Sequence, residues 1–202
     1  MNRVMISEKA KTVFDVISSR RSCRAYQEKD IPDEELNLIL AAGRMAPSGG
    51  NSKTARVIVF LREDIITELE SRVQYEFAGM LYKEGMYKSL YSTIKKAREK
   101  NLHFTYGAPV LILLANKKEY ENRIADCAVM AENMMIAAAS LEIGSCYVNQ
   151  VHWLSDNVYI RNFLEMYGLE KDEDICASLI LGYPDQAFGD RIDRGNKTLI
   201  YK

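Results

Sequence analysis

The 202-residue sequence predicts an α+β fold in which helices surround one sheet. Three observations predict it. Four short runs, Arg56–Leu61, Pro109–Ala115, Ser145–Val148 and Ile175–Leu181, are apolar or rich in β-branched residues. Longer stretches between them carry apolar residues at helical spacing. An isolated apolar scrap, Thr198–Tyr201, follows a polar and basic excursion, and a terminal strand with no local partner is a candidate for pairing with another subunit. No repeat, low-complexity tract or linker divides the chain, so residues 1–202 read as one domain.

The elements follow in order. Ser7–Ser19 reads as a helix with Ser7 as N-cap and Val13, Val16 and Ile17 on one face. Ile31-Pro32-Asp33-Glu34-Glu35 opens a second helix, because proline and acids suit a first turn. Leu36, Ile39, Leu40 and Gly43 continue its stripe, and it stops before Pro47. Ser48-Gly49-Gly50-Asn51 is a turn signal, followed by the first strand. Residues 64–100 are helical in composition, with Gly79 and Gly85 dividing them. After the Pro109–Ala115 strand comes a long helix, Glu121–Glu142, apolar around much of its circumference and so buried on several sides. Ser155–Tyr167 reads as a helix capped by Ser155 and stopped by Gly168, and Gly182-Tyr183-Pro184 closes the last strand.

Composition excludes several classes. The 27 basic and 28 acidic residues leave a net charge of −1, with no global field for nucleic acid or anionic membrane. The two histidines lie far apart, and the four cysteines, at 23, 127, 146 and 176, match no familiar zinc, iron–sulfur or disulfide pattern. They suggest a reducing compartment. The N-terminus is too polar for a signal peptide, and no apolar run approaches the ~18 residues of a membrane helix. The expectation is a cytoplasmic protein. Gly-x-Gly-x-x-Gly, Walker A, Gly-x-Ser-x-Gly and His-Glu-x-x-His motifs are all missing. Enzymatic chemistry here needs another source, and a cofactor is the obvious one.

Some segments could hold that cofactor. Arg20, Arg21 and Arg24 crowd three cations around Ser22 where a helix ends, which suits an anion. The same arginines would also suit a solvated helix C-terminus. Ala46–Asn51 is small and kinked, so backbone can approach a flat ligand there, or it is an ordinary connection. Gly144–Gln150 ends in Asn149 and Gln150, whose amides could face a ring. Arg191, Arg194 and Lys197 repeat the cationic theme in the tail. Cys23, Cys146, His103 and His152 read as structural, and the methionines of the long helix as core.

Taken together, these segments resemble the nitroreductase family of FMN-dependent oxidoreductases. Ser19-Arg20-Arg21-Ser22-Cys23-Arg24 resembles its N-terminal Arg-Arg-Ser-x-Arg signature. Ile31-Pro32, then Ala46-Pro47-Ser48 with Asn51, is similar to its second block. Asp126–Leu141 is similar to its central helix, Gly144-Ser145-Cys146-Tyr147-Val148 to the strand that follows, and Leu181-Gly182-Tyr183-Pro184 with Arg194 to its closing block.

The resemblance implies a mixed sheet flanked by helices, in an intertwined homodimer whose C-terminal tail, from about residue 185, packs on the partner with strand exchange. It implies bound FMN contacted by Arg20, Arg21, Ser22 and Arg24, with Tyr147, Asn149 and Gln150 along the ring and Arg191 or Arg194 at the phosphate. Pro47, Ser48 and Asn51 would face the partner's flavin. It implies hydride transfer from NADH or NADPH through flavin N5 to nitroaromatics, quinones or similar acceptors, by a ping-pong mechanism with no catalytic side chain. Lys53-Thr54-Ala55 departs from the family's common Gln-Pro-Trp, and Asn149-Gln150 replaces a commoner glycine or acid. A specialised reductase, dehalogenase-like or enoate-type, and a flavin-binding or storage protein therefore stand as alternatives.

Overall fold

The structure, a computed structural model, describes residues 6–188, 195 and 197–201. Seven α-helices and four strands are built from the described residues: α1 (Glu8–Ser19), α2 (Asp33–Arg44), β1 (Arg56–Phe60), α3 (Glu63–Gly79), α4 (Lys88–Arg98), β2 (Val110–Lys117), α5 (Arg123–Ser140), β3 (Gly144–Val148), α6 (Gln150–Trp153), α7 (Val158–Glu165) and β4 (Glu173–Gly182). The predicted elements occur in the predicted order. α1 starts as its sequence dictates, with the Ser7 hydroxyl accepting from the Ala10 amide at 3.2 Å.

Two differences lie around residue 150. A short helix, α6, follows β3, and the next helix begins at Val158, with Asn157 rather than Ser155 as its cap. The Asn157 side chain accepts from the amides of Tyr159 and Ile160. The Ser155 hydroxyl is taken by the sheet instead, where it accepts from the Ile175 amide at 2.8 Å. A capping residue is chosen by where the backbone enters the helix, and tertiary demand for Ser155 moved that point by two residues.

The sheet order is β1-β2-β4-β3, and every pair of neighbouring strands is antiparallel. This corrects the expected mixed sheet. β2 and β3 run the same way because α5 crosses over between them, but β4 lies between them and runs opposite to both. Parallel pairing is confined, among the described residues, to the bridge Ser22↔Ser145 at the β3 edge. The Thr198–Tyr201 scrap forms no strand within this chain, and Leu199, Ile200 and Tyr201 are exposed.

β2 and β4 are apolar on both faces because both faces are covered. Leu111 and Leu113 pack with Val73 and Phe77 of α3, Ile94 of α4 and Phe163 of α7. Val110, Ile112 and Leu114 pack on the other side with Ile39 of α2 and Met134 and Ala138 of α5. The α2–α5 contact is close at Gly43, where a Cβ would sit 2.3 Å from the Met134 side chain. α1 lies on α5, yet none of its own residues is buried. No helix among the described residues is long and apolar enough to cross a membrane.

Candidate active site

A cleft of about 410 Å³ opens where β3 ends. Strand β3 and helix α6 bring Tyr147, Asn149 and Gln150 to it, and the segment that pairs with β3 brings Arg24. These are four of the residues singled out in the sequence. Gln150 is fixed at both ends of its amide. Its Nε2 donates to the Thr93 hydroxyl at 3.3 Å, and its Oε1 accepts from the Asn149 amide at 3.1 Å.

The opposite wall comes from α4 and the loop after it. Ser89, Ser92, Thr93 and Lys96 face the cleft, with Asn101 and His103 beyond them. His103, read from the sequence as structural, lines the cleft, and the α4 residues had not been singled out. Their signal was present, since residues 89, 92, 93 and 96 share one helical face. What was lacking was any indication that this face meets β3. Phe104, Tyr106 and Trp153 supply aromatic surface. The His103 Nδ1 lies 3.4 Å from Glu70 Oε2, and Glu70 also accepts from the Thr105 amide and hydroxyl. The other histidine, His152, is held by the Ile175 carbonyl at 2.7 Å, outside the cleft lining.

No carboxylate lines this cleft among the described residues, whereas Arg24, Lys96 and His103 do. A planar, anionic ligand with polar substituents fits that donor set, and FMN is such a ligand. Cys146 lies in the cleft floor. Burial pushes its thiol up, while the Arg24 guanidinium and the Ser22 hydroxyl pull it back. Burial raises the Tyr147 phenol as well. Burial thus favours the neutral form of both groups.

The other arginines of the cluster face elsewhere. Arg20 and Arg21 line a second cleft of about 640 Å³ on the other side of β3, together with Lys29, Glu142, Tyr183 and Phe188. The Arg21 Nη1 donates to the carbonyls of Ser18 and Arg20 at 2.9 Å, closing the C-terminus of α1. Arg20 pairs loosely with Glu132 at 3.9 Å. Arg191 and Arg194 lie outside the described residues. Pro47, Ser48 and Asn51 line neither cleft within this chain; they form a loop anchored on the start of α5.

The geometry of this cleft has a known setting. The sequence model of the nitroreductase family matches residues 17–183, which spans every element from the arginine cluster to the end of β4. The chain belongs to the nitroreductase family. A nitroreductase of Bacteroides fragilis, solved with FMN bound, superimposes with a TM-score of 0.83 at 30% identity, covering 97% of this chain and 100% of that one. A protein of Archaeoglobus fulgidus, provisionally named NADH dehydrogenase/NAD(P)H nitroreductase, is 27% identical over 93% of this chain and 95% of its own length. An NADPH-flavin oxidoreductase of Vibrio harveyi is 27% identical over 86% of this chain and 66% of its own length.

Proposed function

We propose that this nitroreductase-family protein is an FMN-dependent oxidoreductase that takes reducing equivalents from NADH or NADPH and reduces small electron-poor acceptors such as nitroaromatics and quinones. The observation that carries the reading is the β3-end cleft, with two cationic side chains, Arg24 and Lys96, aromatic walls and no acid among the described lining residues. The FMN-bound relative and the two nicotinamide-linked names support it. When bound, FMN supplies the redox chemistry, passing hydride from nicotinamide to acceptor at N5.

The chain's own residues bind and orient. Arg24 and Lys96 attract the anion and counter negative charge that develops in the cleft. Tyr147, Asn149 and Gln150 offer a flat wall with amides on it, and the Gln150–Thr93 bond fixes one of those amides in advance. Arg20, Arg21 and Ser22, with Arg191 and Arg194 of the tail, are the candidates for the phosphate end. No side chain acts as nucleophile. Donor and acceptor use the same cleft in turn, which gives ping-pong kinetics.

The working unit is a homodimer. α1 is a helix with no buried residue, its Val13 is 49% exposed, and Met45, which lines the same groove, is 81% exposed, so an apolar face awaits a cover. Pro47, Ser48 and Asn51 would serve the partner's cleft, and the tail would cross to the partner as a strand. Four buried, unbridged cysteines suit a reducing cytoplasm.

An absorption spectrum of the purified protein, followed by anaerobic titration with each nicotinamide, tests the proposal. A flavin spectrum that bleaches with NADH or NADPH and returns on adding a quinone is expected. A protein that takes up no FMN, or whose flavin neither donor bleaches, would refute it.

A further inference from the structure

The loop from Pro47 to Lys53 runs through left-handed angles that glycine and asparagine accept but a lysine does not favour. Gly50, Asn51 and Lys53 are all left-handed, at φ of 59°, 55° and 49°. For non-glycine residues such angles persist only where the surroundings impose them. Internal bonds do part of this work: the Asn51 amide donates to the Ser48 carbonyl at 2.9 Å, and the Lys53 amide to the Ser48 hydroxyl at 3.1 Å.

The remaining restraint comes from two side chains outside the loop. Asp126, buried in the first turn of α5, accepts the Gly49 amide on Oδ1 at 3.1 Å and on Oδ2 at 3.3 Å. The Tyr120 hydroxyl, in the turn between β2 and α5, lies 2.9 Å from the Gly49 carbonyl and 2.9 Å from Asp126 Oδ2. It also accepts from the Ser52 hydroxyl at 3.0 Å. Both backbone groups of Gly49 are therefore gripped by one connected pair of side chains. The grip leaves no room for a side chain, because a Cβ on Gly49 would lie 2.3 Å from Asn122 Nδ2 and 2.7 Å from the Tyr120 oxygen. Asp126 stands on a long helix and Tyr120 in the short turn that joins it to a buried strand, so they transmit the position of rigid elements to an exposed loop.

We propose that Tyr120 and Asp126 are positioning residues that hold Pro47, Ser48 and Asn51 in the shape that completes the cofactor site of the partner subunit. The inference rests on the homodimeric FMN reading above. It assigns to a buried carboxylate and a phenol, both remote from this chain's own cleft, a role in the neighbour's affinity.

FMN binding to mixed dimers tests it. Homodimers of Asp126→Asn and of Tyr120→Phe, each nearly isosteric, should bind FMN at least tenfold more weakly than wild type. The decisive sample joins one Arg24→Ala subunit to one Asp126→Asn subunit, with Tyr120→Phe as the second version. If the clamp acts across the interface, the damaged cleft and the damaged loop fall on the same site. The mixed dimer should then bind one FMN with wild-type affinity. Weakening at both sites would place the clamp's effect inside its own subunit and overturn the proposal, as would homodimers of both variants that bind like wild type. A wild-type protein that is monomeric or binds no FMN would sink the functional reading first, and the wild-type control shows this separately.

Discussion

The two clefts flanking β3 draw their arginines from one five-residue segment but put them to different use. On one side Arg24 stands with Lys96 and His103, and no carboxylate lines the wall. On the other, Arg21 is committed to the last carbonyls of α1, Arg20 leans toward Glu132, and Glu142 lines the cavity beside Lys29. The second cleft is larger, at about 640 against 410 Å³, and sets one acid, Glu142, among its three cations. The split follows the path of the segment: Arg20 and Arg21 stand at the end of α1, whereas Arg24 lies past the residue 22–145 bridge and the buried Cys23.

This contrast can be broken by removing the arginines one at a time. Arg24→Ala should have the largest effect, lowering kcat/KM by about 100-fold, as expected when a preorganised charge is lost from a site where negative charge develops. Steady-state kinetics with added FMN would check it, and a loss under fivefold would contradict the assignment. The strand between the clefts should be the next most sensitive feature. A Cβ on Gly144 would lie 2.8 Å from both Cys23 Cβ and Sγ and 3.1 Å from Pro184. Gly144→Ala should thus cost about 1–3 kcal/mol in urea unfolding, through overpacking where both clefts share a wall. Arg21→Ala should register chiefly as stability, about 1 kcal/mol from lost carbonyl hydrogen bonds at the end of α1, read as a lower Tm.

The smallest effect concerns pH. Burial raises Cys146, Tyr147 and Tyr26 above their ordinary values. Above about pH 9 the unfolded chain releases protons that the folded chain retains, so the unfolded state binds fewer. Stability contributed by these groups is complete below that range and declines as pH rises through it. Chemical denaturation at pH 8 and pH 10 should show the decline, and Cys146→Ser should lessen it.

Much of the architecture was legible because local and global preferences agreed. The β2 run is apolar on both faces since helices cover both, and α1 begins at Ser7 because that hydroxyl has an amide to cap. Legibility failed where one residue had two suitors. Ser155 is a good N-cap by type, but the Ile175 amide claims it and Asn157 takes over. Strand directions failed for a related reason: β4, last in the sequence, inserts between β2 and β3, an outcome no local pattern records.

In the candidate site, Arg24, Tyr147, Asn149 and Gln150 came from motifs in the sequence, whereas Lys96 and the serines of α4 came from its packing. The sequence by itself determined the order of elements, the apolar stripes and the cationic segment before β3. Those are properties of neighbouring residues, set by side-chain type and spacing. Only the tertiary structure decided which arginine faces which cleft, that α4 lines the one at the end of β3, and that Asp126 and Tyr120 grip a loop some seventy residues away. These depend on strand pairing and helix docking, where free energy is gained between segments distant in the chain and local composition carries no trace of the partner.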